Sequence, residues 1–141
     1  MKAINAKNKI LGRVCANIAH ELLTSRDKII VVNARGALIT GRKEAIFKIH
    51  VDRAKKGVRG NQLIGPKYPR YPDKIILRTV RGMLPRTARG FSALKRLNVF
   101  IDLPDEFKKD LAKEDIKTIS NSISLGALAK HLGAQLRNVK E

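Results

Sequence analysis

Disulfide-forming cysteines and long apolar runs are both missing from this sequence. Cys15 is the only cysteine among 141 residues, which excludes an internal disulfide framework and is typical of the reducing cytosol. No apolar run approaches the roughly 18–20 residues that a membrane span needs, and no secretory signal is recognisable at the N-terminus. We therefore expect a cytoplasmic protein with no membrane partner.

Motifs of catalysis and of cofactor binding are also missing. The chain has no Gly-x-x-x-x-Gly-Lys-Ser/Thr loop and no Gly-x-Gly-x-x-Gly after a strand, which are the usual phosphate grips of α/β proteins. His20, His50 and His131 are far apart and lack the cysteine or carboxylate neighbours of a metal site. Cys15 lies in an apolar stripe, which favours core packing over nucleophilic catalysis. We expect no cofactor, no metal, no small-molecule substrate and no enzymatic activity.

Acidic residues are scarce, and this scarcity leaves a large positive charge. Thirty Lys and Arg face twelve Asp and Glu, which gives a formal net charge of +18. Such an excess causes strong self-repulsion unless a polyanion neutralises it, and nucleic acid is the abundant cytosolic polyanion. The 43% apolar content is nevertheless enough for a hydrophobic core, and the length suits one domain, 1–141.

The positive charge is concentrated in the middle of the chain. Sixteen basic residues lie between Arg42 and Arg96, and only three acidic residues oppose them. Between Asp102 and Asp115 the balance reverses, and this acidic stretch faces either solvent or a basic neighbour. We expect the basic middle to bind the polyanion and the flanking segments to form the scaffold.

Hydrophobic periodicity predicts alternating strands and helices. The expected strands are Met1–Ala6, Lys28–Asn33, Leu38–Thr40 and, as the last one, Asn98–Ile101. The expected helices are 11–23, 42–54, 73–84, 86–97 and 125–132. This order indicates the α/β class, with helices packed on a small, mainly parallel sheet.

The segment Lys55–Pro72 breaks this regularity. Prolines at 66, 69 and 72 have the spacing of a polyproline II segment, which puts Lys67 and Arg70 on one edge and Tyr68 and Tyr71 on another. Basic groups hold phosphate and rings stack on exposed bases, so this interleaving favours a functional loop that binds nucleic acid. The alternative is a solvated loop whose tyrosines fold back onto the core.

The helix predicted at 73–84 has two faces. Asp73 is expected to cap its N-terminus and Pro85 to end it. At 100° per residue, the apolar face consists of Ile75, Ile76, Val80 and Met83. The opposite face carries Lys74, Arg78 and Arg81. In the helix that follows, Phe91, Leu94 and Leu97 are expected to anchor the core.

Several short motifs resemble those of the L-thirteen family of large-subunit ribosomal proteins. They are Arg81-Gly82-Met83-Leu84-Pro85, Arg89-Gly90, Ala93-Leu94, Arg96-Leu97, Leu11-Gly12-Arg13, Val31-Val32-Asn33-Ala34 and Thr40-Gly41. The run Phe100-Ile101-Asp102-Leu103-Pro104 is similar to the archaeal branch in particular. The resemblance implies a three-layer α/β/α fold and a structural, non-catalytic role on large-subunit ribosomal RNA beside neighbouring large-subunit ribosomal proteins.

The sequence therefore predicts a protein that binds and orders large-subunit rRNA during assembly and translation. The residues expected to bind RNA are Arg53, Lys55, Lys56, Arg59, Lys67, Tyr68, Arg70, Tyr71, Lys74, Arg78, Arg81, Arg86, Arg89, Lys95 and Arg96. Gly82, Met83, Leu84 and Pro85 are expected to form a structural motif that is both a turn holding the flanking arginines and a core-packing corner with Met83 and Leu84 buried. The alternatives are an RNA-binding regulatory protein acting off the ribosome and an RNA-modifying enzyme.

Overall fold

The computed structural model of the chain describes residues 1–56, 65–104, 107 and 121–136. Within these ranges the chain forms five strands and five helices. In chain order they are β1 (Lys2–Asn5), α1 (Leu11–Thr24), β2 (Ile29–Val32), β3 (Leu38–Thr40), α2 (Lys43–Lys55), α3 (Pro72–Met83), α4 (Ala88–Leu94), β4 (Leu97–Val99), β5 (Ser122–Ser124) and α5 (Leu125–His131), with a 3₁₀ turn at Ala34–Gly36.

β2 is the central strand of a three-stranded parallel sheet with the order β1-β2-β4. All four of its residues are buried. Ile29 and Val31 belong to the main hydrophobic cluster, whereas Ile30 and Val32 are buried outside it. Because successive side chains of a strand point to opposite faces, both faces of the sheet are covered. The predicted α/β class and the mainly parallel sheet are confirmed.

β3 and β5 form a second, antiparallel sheet in which Ile39 pairs with Ile123. The strand predicted at Leu38–Thr40 is confirmed, but Asn98–Ile101 is not the last strand, since β5 follows it. β4 itself ends at Val99, and the backbone ladder continues one residue further, where the Phe100 N–H donates to the carbonyl of Val31 at 2.8 Å. The hydrophobic pattern does not predict β5, because a three-residue strand with one apolar residue has no measurable periodicity.

α1 and α3 pack on each other and supply much of the core. Both crossovers, β1 to β2 and β2 to β4, advance in the same direction across the sheet, so right-handed connections put α1 and α3 on the same face. α1 buries Val14, Cys15, Ile18, Ala19 and Leu22 at the predicted helical spacing. Burial raises the pKa of Cys15 to about 12, which keeps the thiol protonated and confirms its core role.

α2 lies within one residue of its predicted bounds, but its apolar side is mostly exposed. Only Ile46 of this helix is buried, and Ile49 is 48% exposed. Phe47 stacks on His131 of α5 with ring centroids 4.1 Å apart. α2 is therefore attached by one buried side chain and one stacked ring pair instead of a continuous stripe.

Two expectations about α3 are wrong. Asp73 does not cap the helix: α3 begins at Pro72, the capping position is Tyr71, and no side chain makes a capping hydrogen bond there. Proline suits this first position because its fixed φ matches the helix and its missing N–H would have no partner there. Met83 is 43% exposed, since the helix ends at this residue and the next one, Leu84, takes the buried position.

α4 is shorter than the predicted helix, and a different side of it faces the core. It ends at Leu94, and Leu97 is buried on β4. The residues of α4 that are buried are Gly90 and Ala93, while Phe91 is 51% exposed and does not anchor the core. A Cβ at Gly90 would collide with the Pro85 carbonyl oxygen, so the helix packs closely through Gly90 and turns Phe91 outward.

Candidate nucleic-acid interface

α3 presents an apolar face to the core and a basic face to solvent, as predicted. Ile75, Ile76 and Val80 are buried. On the opposite face Lys74, Arg78 and Arg81 are exposed. The residue before Pro85 is extended, as the proline ring requires, so α3 ends here and the chain turns into α4. This corner brings Arg86 next to the arginines of α3.

The loop before α3 lies against Arg78. The guanidinium carbon of Arg78 is 4.1 Å from the centroid of the Tyr68 ring, and its Nη1 donates a 2.6 Å hydrogen bond to the carbonyl of Lys67. Tyr68 is half-buried, whereas Tyr71 is 43% exposed. Tyr68 thus folds back, as one of the two interpretations expected, but it packs on an arginine of the basic face. Arg78 is held in place by these two contacts while its other donors remain available.

Two clefts flank the C-terminal half of α3. The larger, about 450 Å³, is called here the arginine cleft and is lined by Arg78, Arg81, Arg86, Gly82, Phe91 and Leu94, among others. The smaller, about 220 Å³, is called the histidine cleft and includes His50, Arg53, Tyr68, Arg78 and Gly82. Arg78 and Gly82 border both clefts, so α3 forms the ridge between them.

The positive charge around these clefts is not neutralised within the described part of the chain. Between Arg42 and Arg96, no described cation forms an ion pair with another described residue. In the histidine cleft, burial and then the charge of Arg53 lower the pKa of His50, so this imidazole is neutral at neutral pH. The arginines therefore supply the charge of both clefts, and His50 supplies a neutral hydrogen-bonding group.

The Gly-Met-Leu-Pro motif lies at the end of α3, where the chain turns towards α4. Gly82 lies within α3, has no left-handed backbone conformation and is not part of the turn. A Cβ built at Gly82 would meet no atom within 4 Å, so the fold does not require glycine there. Leu84 is buried and Met83 is exposed, which makes the corner partly core and partly surface. The glycine that the corner does require is Gly90, which touches Pro85.

Arg89 and Arg96 reach the C-terminal end of α1. Arg96 donates to the carbonyls of Ser25 and Leu22, both at 2.7 Å, and Arg89 donates to Leu23 at 2.8 Å. The last turn of α1 has no basic residue of its own, so these guanidinium groups satisfy its free carbonyls and complement the helix dipole. Both arginines were predicted to bind RNA, and the structure gives them this internal role.

The remaining residues predicted to bind RNA are exposed but do not line either cleft. These are Lys55, Lys56, Lys67, Arg70, Tyr71, Lys74 and Lys95. Arg59 and most of the Asp102–Asp115 stretch lie outside the described residues. The structure therefore brings five of the predicted residues together at the clefts: Arg53, Tyr68, Arg78, Arg81 and Arg86.

Among the cleft residues that were not predicted as site residues, His50 and Phe91 carry the side chains of most chemical interest. Phe91 was assigned to the core because it is large and apolar. The overlooked signal is that Gly90, Ala93, Leu94 and Leu97 already have i, i+3, i+4, i+7 spacing, which leaves Phe91 outside the stripe. No comparable sequence signal identifies His50, whose place depends on how α2 meets the loop before α3.

Residues 1–56, 65–104, 107 and 121–136 contain no cluster of three or more His, Cys, Asp or Glu side chains that could hold a metal ion. None of the helices they form is both long enough and apolar enough to cross a membrane.

Comparison with known proteins assigns the chain to a family. The family model for ribosomal protein L13 matches residues 1–106. A large ribosomal subunit protein uL13 from Methanococcus maripaludis is 36% identical over 137 residues, which cover 96% of this chain and 99% of the relative. Proteins of the same name from Methanosarcina barkeri and Methanocaldococcus jannaschii are 36% and 38% identical, with the same coverage of both chains. The chain therefore belongs to the ribosomal protein L13 family.

Proposed function

We propose that this protein binds large-subunit rRNA through the two clefts and the ridge of α3 between them. Membership of the L13 family makes the chain a structural constituent of the large ribosomal subunit, bound to the ribosome, and not an enzyme. The proposal concerns which surface of the protein contacts the rRNA. The observation that supports it is the grouping of Arg53, Arg78, Arg81 and Arg86 around one helix without acidic partners among the described residues.

The chemistry of these side chains suits a folded RNA. A guanidinium group presents a planar fork of donors that can hold two phosphate oxygens, and the charge-assisted hydrogen bonds that result are roughly twice as strong as neutral ones. Double-stranded RNA is recognised mainly through its shape, its phosphates and its 2′-hydroxyl groups. Arginines fixed on a helix and at a rigid corner therefore recognise a particular arrangement of phosphates and contribute little base specificity.

Arg81 and Arg86 are the best positions for a test. Both are exposed, both line the arginine cleft, and neither makes a hydrogen bond or ion pair with another described residue. Their reversal, Arg81→Glu with Arg86→Glu, therefore changes charge with little effect on folding. Arg78 is less suitable, because it also holds Lys67 and Tyr68. A matched control is Arg13→Glu with Arg26→Glu, which changes the same charge at two exposed positions outside the clefts.

Binding of each full-length protein to an in vitro transcribed archaeal large-subunit rRNA is measured between about 50 and 200 mM salt, a range over which phosphate-driven binding changes strongly. The wild-type affinity should fall steeply with salt. Each lost phosphate contact lowers the slope of the log–log plot by about 1, so the cleft variant should lose about 2 and the control variant should lose much less. Equal losses in the two variants would show that only total charge matters and would refute the proposed surface. A flat wild-type plot would refute RNA binding by charge altogether.

A further inference from the structure

Phe91 has an environment that a phosphate-binding surface alone does not explain. Its side chain is 51% exposed and lines the arginine cleft, where the surrounding polar groups are those of Arg78, Arg81 and Arg86. Within the described ranges, no cation and no second ring stacks on Phe91. The exposed part of this ring therefore remains available to a ligand. Phe91 lines this cleft together with Leu94, so the cleft has an apolar wall that a purely electrostatic contact does not need.

The cleft around Phe91 has the size of a small-ligand site. Its volume is about 450 Å³. Pockets for small molecules and cofactors commonly measure roughly 300–1,000 Å³ and combine apolar walls with a few polar groups. Here Phe91 and Leu94 provide an apolar wall, and the three arginines provide the cationic rim.

Two glycines keep the cleft open. Gly82 contributes no side chain to it, and a Cβ there would project into empty space. Gly90 allows α4 to approach the Pro85 carbonyl, and this approach fixes the direction in which Phe91 points. The cavity therefore results from the backbone arrangement of the corner and does not depend on a mobile side chain moving away.

We infer that the arginine cleft holds a single unpaired nucleotide of the RNA, with its base packed on Phe91 and its phosphates held by Arg81 and Arg86. This inference rests on the proposed function and specifies the kind of RNA element that the surface takes. A nucleotide carries a flat aromatic base and an anionic phosphate on one unit, which matches an aromatic wall beside a cationic rim. A base inside a duplex cannot offer its face to the protein, whereas a bulged or looped base stacks readily on aromatic side chains.

The test compares two RNA duplexes that differ by one nucleotide. One is fully paired, and the other has the same pairs plus a single bulged 4-thiouridine. The wild-type protein should bind the bulged duplex about tenfold more tightly, since stacking of one base on an aromatic side chain changes affinity between about 5- and 150-fold. Irradiation should crosslink the thiouridine to the segment that contains Phe91.

Variants at Phe91 separate stacking from charge. Phe91→Ala should abolish the preference for the bulged duplex over the paired duplex. Phe91→Trp should keep the preference that Phe91→Ala loses, because tryptophan also presents an aromatic face. Phe100→Ala is the matched control: Phe100 is 40% exposed and lies outside both clefts, so this change should leave the preference intact. Thermal melting of each variant verifies that it is folded.

Each outcome distinguishes the inference from the proposed function. If the wild type binds both duplexes equally with a steep salt dependence, the nucleotide site is refuted while the phosphate surface stands. If the wild type binds neither duplex nor rRNA, the proposed function itself fails. If uridine monophosphate competes at micromolar concentration, the cleft is a site for free nucleotides, which refutes the inference; we expect no competition below the millimolar range.

Discussion

Gly82→Ala should raise stability and lower RNA affinity at the same time. Gly82 lies on the ridge between the two clefts, one residue before the end of α3. A methyl group there would meet no protein atom within 4 Å, so it introduces no clash. Glycine inside a helix costs about 0.5–1 kcal/mol relative to alanine. We therefore expect the free energy of unfolding to rise by up to about 1 kcal/mol, which raises the melting temperature by about 2–4 °C for a chain of this size.

RNA affinity should move in the opposite direction. If RNA covers the ridge, its backbone lies close to the glycine, and the added methyl group must displace it. We expect an affinity loss of about tenfold, equivalent to about 1.4 kcal/mol, measured with the same large-subunit rRNA at fixed salt. Urea or thermal unfolding of the free protein gives the stability term separately.

Gly12→Ala is the matched control for this change. Gly12 is also exposed and helical, in α1, and its added Cβ would likewise meet nothing within 4 Å, but it lies outside both clefts. It should not lose stability, and its RNA affinity should stay unchanged. A loss of stability in Gly82→Ala would contradict the open geometry of the ridge. Unchanged RNA affinity in that variant would show that RNA does not approach the ridge.

Three further predictions concern the scaffold. Gly90→Ala should destabilise the protein by about 3 kcal/mol, because its Cβ collides with the Pro85 carbonyl; a melting temperature equal to that of the wild type would refute the close packing of α4. Arg96→Ala should cost about 2 kcal/mol in urea unfolding, since the α1 carbonyls of Leu22 and Ser25 lose a charged donor, and Arg96→Lys should recover only part of this loss. The pKa of His50 is lowered in the folded state, so on acidification the unfolded chain takes up a proton at this histidine at a higher pH than the folded chain does. The free energy of unfolding should therefore rise with pH up to about 6.5, the ordinary pKa of histidine, and then level off. In His50→Gln the rise should be smaller when urea midpoints at acidic and neutral pH are compared; an identical pH profile would contradict the burial of His50.

Strongly periodic segments were predictable because their burial follows from local geometry. α1 repeats its apolar residues every three or four positions, so any fold that buries one side of this helix buries the same residues. β2 consists of four β-branched residues in a row, which is the pattern of a strand covered on both faces. The family motifs extended this reasoning to most of the chain.

The ends of α3 and the phase of α4 were not predictable from periodicity. At 100° per residue Met83 falls on the apolar face, but α3 stops there and Leu84 takes the core position. In α4 the close packing on Pro85 selects a glycine as the buried residue and exposes a phenylalanine. Hydrophobic patterns assign large apolar residues to the core, so they fail where backbone proximity decides the contact.

The sequence by itself determined the net charge of +18, its concentration between Arg42 and Arg96, the α/β class and the family. These follow from composition and local order, which do not change when the chain folds. Only the tertiary structure decided how the arginines divide: Arg78, Arg81 and Arg86 line a cleft with Phe91, while Arg89 and Arg96 bind the end of α1. The physical reason is that a guanidinium group binds any carbonyl or phosphate within reach, and the partners within reach depend on which distant segments the fold brings together.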